Sequence, residues 1–386
     1  MQLWYGLFGN LNQGSKDMAT LKIAMCGYGV RGQEIGRAIH LVPDLQFVDI
    51  ADTNLARRVE ARRNGLAAYE TLEELLETAR PDIVVVATMP QHRLDQVRMA
   101  AEHGCHMLIE KPLAFVPSEA DAMVEAVAKA GVRAAVDFEV PFADSFKVFR
   151  RALENERFGK LLRFEMFDKG RAPAYDIETC VSHYLHLAML LLGCRPTSVS
   201  ATIVVDGRRA TLEDVRPMSE LWPHGREHGV GLRADAAQAH YLYPNGVTAH
   251  YFPALLDEDY VMRAGASAKK PGSEFMALVA YGTRGRVKLH QTQTGFVYVQ
   301  HVPQDTLTEM QWRPVYIPDR PDAAWVIPTS RLIADLVDAI RTDRKPLATI
   351  EDAAHIVHQT AGIYVSHFAG RPVSLPLEER GNPLLR

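Results

Sequence analysis

One stretch, residues 21–52 (LKIAMCGYGVRGQEIGRAIHLVPDLQFVDIAD), constrains the fold of this chain most. It opens on a short apolar run, 21–26, that suits a strand buried on both faces. Gly27, Gly29 and Gly32 follow at G-x-G-x-x-G spacing, residues 31–40 carry a helical pattern, and a second apolar run at 45–50 leads into Asp52. Each part has its own physical task. Gly27 permits a tight turn, Gly29 lets the backbone approach a pyrophosphate, and Gly32 lets the helix pack closely on the strand. The helix N-terminus then faces the phosphates. An acid closing the second strand can accept hydrogen bonds from a ribose 2′-hydroxyl. A glycine-rich turn alone is common. Strand, motif, helix, strand and acid in this order point to a nucleotide, with Gly27, Tyr28, Gly29, Val30, Arg31, Gly32 and Asp52 as its contacts.

The rest of the first 140 residues keeps the same rhythm. Charged amphipathic segments at 54–64 and 72–80 read as helices, the second with Thr71 as N-cap ahead of Glu73 and Glu74 and stopped by Pro81. Residues 82–88 (DIVVVAT) read as a buried parallel strand, 91–103 as a helix, 105–110 as a strand, 118–130 as a helix ended by Gly131, and 132–138 as a strand. Such alternation implies βαβ crossovers and a doubly wound parallel sheet. The pattern then changes. Helices are expected at 142–154 and 179–192, a strand at 161–167, and from 198 onward mainly strands: 198–205, 239–243, 247–252, 276–281, 286–289 and 296–301. Tyr243-Pro-Asn-Gly246 and Gly282-Thr-Arg-Gly285 read as hairpin turns, hence an open, mainly antiparallel sheet. Helices at 329–341 and 350–367 follow. Three parts are expected: a disordered extension at 1–19, a nucleotide-binding domain at 20–140 and an α+β domain at 141–386. Residues 206–235 read as a long connection without period, of the kind that forms lids or partner surfaces.

Composition narrows the function classes. The 386 residues are 47% hydrophobic and 23% charged, with a formal net charge of −4. That balance gives no electrostatic case for nucleic acid or a membrane surface, and no apolar run approaches the 18 residues of a membrane span. The first residues lack the basic start and small-residue cleavage site of a signal peptide. Four dispersed cysteines, Cys26, Cys105, Cys180 and Cys194, form no C-x-x-C pair, which favours free thiols in a reducing, cytoplasmic setting.

Three clusters carry candidate chemistry. Glu110-Lys111-Pro112 follows a strand of the parallel sheet, at the carboxyl end where ligands bind. There a lysine can hold a substrate hydroxyl and stabilise developing negative charge. On residue type alone it reads rather as a solvated surface lysine before a turn proline. Thr88-Met89-Pro90-Gln91-His92 ends the preceding strand, and either lines the cofactor site or is an ordinary strand-to-helix turn. On the helix that opens the second domain, Thr179, His183 and His186 fall at i, i+4 and i+7, with Glu178 beside them. A neutral histidine near a substrate hydroxyl is a suitable general base. The alternatives are satisfied, half-buried histidines or metal ligation. No Cys, Asp or Glu cluster completes a ligand set with His183 and His186, and His224 and His228 offer no better one, so no metal is expected.

Gly27-x-Gly29-x-x-Gly32, then Glu110-Lys111-Pro112, then a helix with His183 together resemble the Gfo/Idh/MocA oxidoreductases. The resemblance covers about residues 20–380, and the E-K-P tripeptide is its most specific mark. It implies an N-terminal Rossmann domain and a C-terminal domain whose open sheet joins copies into homodimers or homotetramers. It also implies NAD or NADP as cofactor, with Thr88, Pro90, His92, Glu110 and Lys111 along it. The expected reaction is hydride transfer between the nicotinamide and a sugar, cyclitol or related compound. By the resemblance Lys111 matches the catalytic lysine and His183 the catalytic histidine; Thr179, His186 and Glu178 stand where substrate contacts are expected. Asp52 favours NAD, a preference that Arg57 and Arg58 can soften.

The chain also departs from the family pattern. Thr179 and His186 occupy the places, four before and three after the histidine, where the family often carries aspartates, and Glu178 would point to another helix face. Asp137-Phe138-Glu139 replaces a more usual glycine-containing sequence; either acid can enter the site, or serve as a cap or loop acceptor. These departures keep two other readings open: a redox-neutral sugar-processing enzyme with tightly held, recycled NAD, and a non-catalytic NAD(P)-binding regulator.

Overall fold

Strands β1 (Leu21–Cys26), β2 (Leu45–Ala51), β3 (Ala67–Tyr69), β4 (Ile83–Val86), β5 (His106–Ile109) and β6 (Ala134–Val136) form one sheet in the order β3-β2-β1-β4-β5-β6. Every pairing in it is parallel. The computed structural model describes residues 19–171, 181–221, 229–232, 234–256, 277–290, 296–301, 312–316 and 326–385. The expected disordered extension therefore lies outside the described residues, apart from position 19. Helices α1 (Val30–Ile39), α2 (Leu55–Arg63), α3 (Leu72–Ala79), α4 (Pro90–Glu102) and α5 (Pro117–Ala130) are the crossovers. Residues 23–26, 83–86, 107–109 and 134–136 are closed to solvent on both faces, which is why these strands read as unbroken apolar runs, while β2 and β3 are only partly covered. Helix ends follow local chemistry. Thr71 accepts from the Glu74 amide at the start of α3, Asn54 does the same for Ala56 at α2, and Gly131 closes α5 in the left-handed conformation.

The second sheet contains β7 (Leu161–Arg171), β8 (Ser198–Val205), β12 (Ala236–Leu242), β13 (Thr248–Leu256), β14 (Ala277–Gly282), β15 (Gly285–His290), β16 (Phe296–His301), β17 (Arg313–Tyr316) and β18 (Val373–Ser374). Their order is β17-β16-β15-β14-β7-β13-β12-β8-β18, with β9 (Arg208–Arg209) beside β8. All its pairings are antiparallel except β7 with β13, which run parallel over Arg163–Arg171. Along β12, buried and exposed residues alternate strictly, so one face packs and the other stays open. Helix α6 (Asp144–Leu153) packs on β15 and β16, helix α10 (Ile350–Ala369) packs on β8, and α7 (Ser182–Leu192) packs against α10; the Tyr241 hydroxyl donates to the Gln359 carbonyl.

Helix α10 also ties the second sheet to the first. It packs on α5 and on β8, and its residues are buried nearly all round. Just before it, the Val136 amide donates to the Ala348 carbonyl at 2.9 Å and Ala135 bridges Thr349, which covers the edge strand β6. Helix α9 (Val326–Arg341) packs on α1. Later segments of the chain thus return to brace the first sheet.

Residues 206–235 are not a structureless connection where described. Besides β9, they hold a 3-10 turn at Leu212–Asp214, β10 (Val215–Pro217) paired antiparallel with β11 (Val230–Leu232), and a short helix α8 (Met218–Leu221). A capping box at Thr211 and Asp214, with the Arg208 guanidinium on the Asp214 carboxylate, fixes the turn. These elements are too short to show a period. His224 and His228 fall outside the described residues, and no helix among the described residues is long and apolar enough to cross a membrane.

Candidate active site

The glycine turn sits at the carboxyl end of β1, where the strand order reverses between β1 and β4. Gly27 has φ of +95°, and a side chain there would meet the Ala87 carbonyl oxygen at 2.8 Å. At Gly32 a Cβ would collide with the Gly27 carbonyl, so the helix can lie this close to the turn only with glycine. A Cβ at Gly29, by contrast, meets nothing within 4 Å. Gly29 is the N-cap of α1 and offers no side-chain cap, so the first amides of the helix face open space. A diphosphate fits this cradle. Asp52 closes it: its Oδ2 accepts from the Tyr28 amide at 2.7 Å and its Oδ1 from the Asn54 amide at 2.8 Å. A carboxylate has about four acceptor directions, so ribose hydroxyls still find acceptors there.

Other expected cofactor contacts serve different ends. The Tyr28 side chain is buried and its hydroxyl accepts from Asn64, so only its backbone borders the cradle. Val30 lies exposed on the first turn of α1. Arg31 turns away from the phosphate side: its Nε donates to Glu110 Oε1 at 2.8 Å and its Nη2 to Asp137 Oδ2 at 2.7 Å. Burial alone would lower its pKa, but Asp137, Glu139 and Glu110 hold the guanidinium charged far above its ordinary value. Glu110 is correspondingly spent on Arg31. Both residues were expected on the cofactor; the structure makes them an internal ion pair, because the α1 side chain at this position points at the ends of β5 and β6. At the end of β4, Thr88 donates its hydroxyl to Gln96 and its carbonyl accepts from Arg93 Nε and Nη2 at 3.0 and 2.7 Å. Pro90 is the buried first residue of α4, and His92 is exposed on its first turn.

Arg93 was not singled out from the sequence. It is buried, and beyond Thr88 it donates to the carbonyls of Glu110 and Pro112, on either side of Lys111. It therefore fixes the E-K-P segment against the end of β4. Nothing in the local sequence distinguishes it from Arg98, the other arginine of that helix.

At the end of β6, Asp137 and Glu139 are both buried, Glu139 only 3% exposed. Burial raises the proton affinity of each; Glu110 adds to it at Asp137 and Asp137 adds to it at Glu139, while Arg31 and Lys111 oppose. Lys111 thus lies within the field of both acids. Glu139 Oε2 stands 3.8 Å from Nδ1 of His183, on the first turn of α7. Phe138 packs on both histidines of α7: its ring meets His183 edge-on at 5.8 Å and stacks on His186 at 4.4 Å. His186 does not face a substrate space. It is 1% exposed, and burial pushes its pKa down to about 4, so it packs as a neutral ring. Thr179 and Glu178 lie outside the described residues.

The doubly wound parallel sheet with a glycine cradle at its switch point defines the fold of a dinucleotide-binding α/β domain, and a lysine, buried acids and a histidine lie at the neighbouring strand ends. Residues 21–138 match the model of the oxidoreductase family with an NAD-binding Rossmann fold. That stretch is thus similar to the Gfo/Idh/MocA oxidoreductases, whose matching model describes an NAD-binding domain. Among curated relatives, scyllo-inositol 2-dehydrogenase (NAD(+)) of Bacillus subtilis is 31% identical over 170 residues, 41% of this chain and 50% of the relative. D-glucoside 3-dehydrogenase of Escherichia coli is 26% identical over 146 residues, 37% of this chain and 42% of the relative. The matched stretches thus span half or less of these relatives. Solved structures match over nearly the whole chain. Levoglucosan dehydrogenase in complex with NADH and levoglucosan gives a TM-score of 0.71 at 18% identity, covering 92% of this chain and all of the other. An oxidoreductase from Agrobacterium radiobacter in complex with NAD+, L-tartaric acid and magnesium gives 0.69 at 19%, covering 92% and 98%. These likenesses extend the shared fold to the second sheet.

The burial of His186 has a pH consequence. Its folded value, about 4, lies below the 6.5 of an exposed imidazole, so the unfolded chain binds more protons between the two. Its contribution to stability is present above about pH 6.5 and is lost as pH falls towards 4. His186→Leu should therefore show a smaller drop in Tm between pH 7.5 and pH 5 than the parent, the remainder coming from groups such as His355, which burial also lowers to about 4. An equal drop in both proteins would place His186 in contact with water instead.

Proposed function

We propose that this chain is an NAD-dependent oxidoreductase acting on CH–OH groups, moving a hydride between the nicotinamide and a hydroxyl or carbonyl carbon of a sugar, cyclitol or related compound. One observation carries the reading: Arg31 ties Glu110 to Asp137 across the paired strands β5 and β6, which sets Lys111 and Glu139 on neighbouring strand ends, and Glu139 Oε2 stands 3.8 Å from Nδ1 of His183 on α7. The polyol dehydrogenase names of the curated relatives support the substrate class.

The turn at Gly27–Gly32 and the Asp52 carboxylate would hold the dinucleotide, which when bound supplies the hydride acceptor. The protein does the rest. The Lys111 ammonium takes the substrate oxygen and lowers the cost of its alkoxide character. His183 accepts the hydroxyl proton. Arg93 and the Arg31–Glu110 pair keep Lys111 in place. The Asp52 carboxylate would repel a 2′-phosphate. Arg57 and Arg58 do little to offset it: Arg57 pairs with Glu60, and Arg58 is spent on Glu70 and on the carbonyls of Asp52 and Thr53. We therefore read NAD as preferred over NADP. The free thiols of Cys26, Cys105 and Cys194 support a reducing, cytoplasmic setting.

The open face of the second sheet presents His240, His250, Phe167, Phe252 and the exposed Leu242 side by side, with the two phenyl rings stacked at 5.8 Å. We read it as the surface that joins copies into a homodimer or homotetramer. Sedimentation or solution scattering of a monomer at micromolar concentration contradicts that assignment.

Purified protein with NAD and a panel of aldoses, cyclitols, sugar acids and glycosides should produce NADH in excess of enzyme with at least one compound class. Lys111→Ala and His183→Ala should each lower kcat by about 10²–10⁴-fold while NADH still binds. If no compound is oxidised although NAD is released from the denatured protein, a redox-neutral enzyme replaces this reading. If both variants keep full turnover, the assigned residues are wrong.

A further inference from the structure

We propose that Glu139, supplied by the cofactor-side sheet, is the positioning residue of the base: its carboxylate takes the Nδ1 proton of His183 and so leaves Nε2 bare to receive the substrate proton. This rests on the reading of His183 as the base. The sequence gives no acid on α7 for this task among the described residues, where position 186 is a histidine stacked on Phe138. The acid comes instead from a strand end more than forty positions earlier in the chain.

The geometry is specific. Glu139 is buried, and its Oε2 has no hydrogen-bond partner among the described residues. A buried carboxylate oxygen in that state is costly. The imidazole nitrogen facing it is Nδ1 of His183, 3.8 Å away, close enough that a small closure makes the hydrogen bond. Hydrogen bonds at catalytic centres commonly tighten in this way when ligands bind. Phe138 limits the ring's freedom from one side with its edge-to-face contact. The groups facing Glu139 are Asp137 on its own strand end, Arg31 from α1, Lys111 from the end of β5 and His183 from α7; Glu110 acts through Arg31 and Asp137. Asp137 and burial favour the protonated acid, while Arg31 and Lys111 favour the carboxylate.

The proton balance follows. In the form ready for oxidation, Glu139 is ionised, His183 carries its proton on Nδ1, and Nε2 is bare. The substrate C–H bond breaks with its electron pair going to the nicotinamide. The O–H proton goes to Nε2, and the imidazolium is held against Glu139. With one proton more, either Nε2 is already occupied or Glu139 is neutral and donates to Nδ1, which leaves Nε2 protonated. Both forms are inactive in oxidation and competent in reduction. Oxidation should therefore rise with pH and reduction should fall, through one limb that belongs to the pair. Because burial and Asp137 raise the affinity of Glu139 for protons, that limb lies higher with the carboxylate present than without it.

The pH dependence of kcat for oxidation, in the parent, Glu139→Gln and Glu139→Asp, tests this. The glutamine variant should move the acid limb down by about one pH unit or more and lower kcat by at least about tenfold, with NADH affinity kept. The aspartate variant should restore part of both. A limb that is the same in parent and Gln variant, or an Asp variant no better than Gln, overturns the proposal. A second readout needs neither turnover nor a variant at 139. In the ¹⁵N-histidine spectrum of the resting protein, assigned by loss of the signal in His183→Gln, His183 should be the Nδ1–H tautomer on the alkaline side of its titration. The Nε2–H tautomer there overturns the proposal even if the substrate class is right. An Nδ1–H tautomer in a protein that oxidises none of the panel supports the pairing and overturns only the reading of the reaction.

Discussion

The Arg31 guanidinium holds the site together. It leaves the helix that begins at the glycine turn, crosses to the ends of two strands and joins Glu110 to Asp137. Three carboxylates buried within one cluster would repel each other and resist ionisation; one delocalised cation with five donors satisfies two of them at once. Taking one partner from such a buried pair costs about 3–5 kcal/mol, because the remaining charge has no solvent to turn to. The arrangement is therefore a commitment of the fold: the cofactor turn, the strand that delivers Lys111 and the strand that delivers Glu139 keep fixed relative positions.

On that frame the two sheets divide the work. The parallel sheet offers the dinucleotide cradle and, at adjacent strand ends, the lysine and the acids. The mixed sheet and α7 offer His183. The junction is made rigid by α10, buried against both sheets, and by the pairing of β6 with residues 348 and 349. The proposed reaction centre, shared between sheets, can be tuned by either. The family match covers only the first of them, and Glu139 is where the first reaches into the second.

Much of this was legible in the sequence because the signals are local. The glycine turn, the β-branched runs, the caps at Thr71 and Gly131 and the hairpin turns at Tyr243–Gly246 and Gly282–Gly285 each depend on neighbours within a few residues. What escaped is long-range or very short. Strand β3 has three residues, and the parallel pairing of β7 with β13 joins segments some eighty residues apart. Side-chain direction escaped too. Motif spacing placed Arg31 and Glu110 beside the cofactor, but their charges meet each other. Arg93 and Phe138 have no motif, since their roles exist only once β4, β5 and β6 are side by side; Glu139 stood out as an acid able to enter the site, but its nearness to His183 depends on the tertiary fold. His186 shares a helical repeat with His183, yet the stacked Phe138 ring makes one a packing residue and leaves the other next to an acid.

The central claim is that Lys111 and the Glu139–His183 pair surround the place of hydride transfer. A crystal structure of the protein with NADH tests it most directly. The account predicts the pyrophosphate on the amides of Gly29 and Val30, a ribose on Asp52, and nicotinamide C4 open to a space bordered by Lys111 Nζ and His183 Nε2. A dinucleotide in the cradle whose nicotinamide points away from both residues, or His183 turned so that Nε2 faces Glu139, would contradict it.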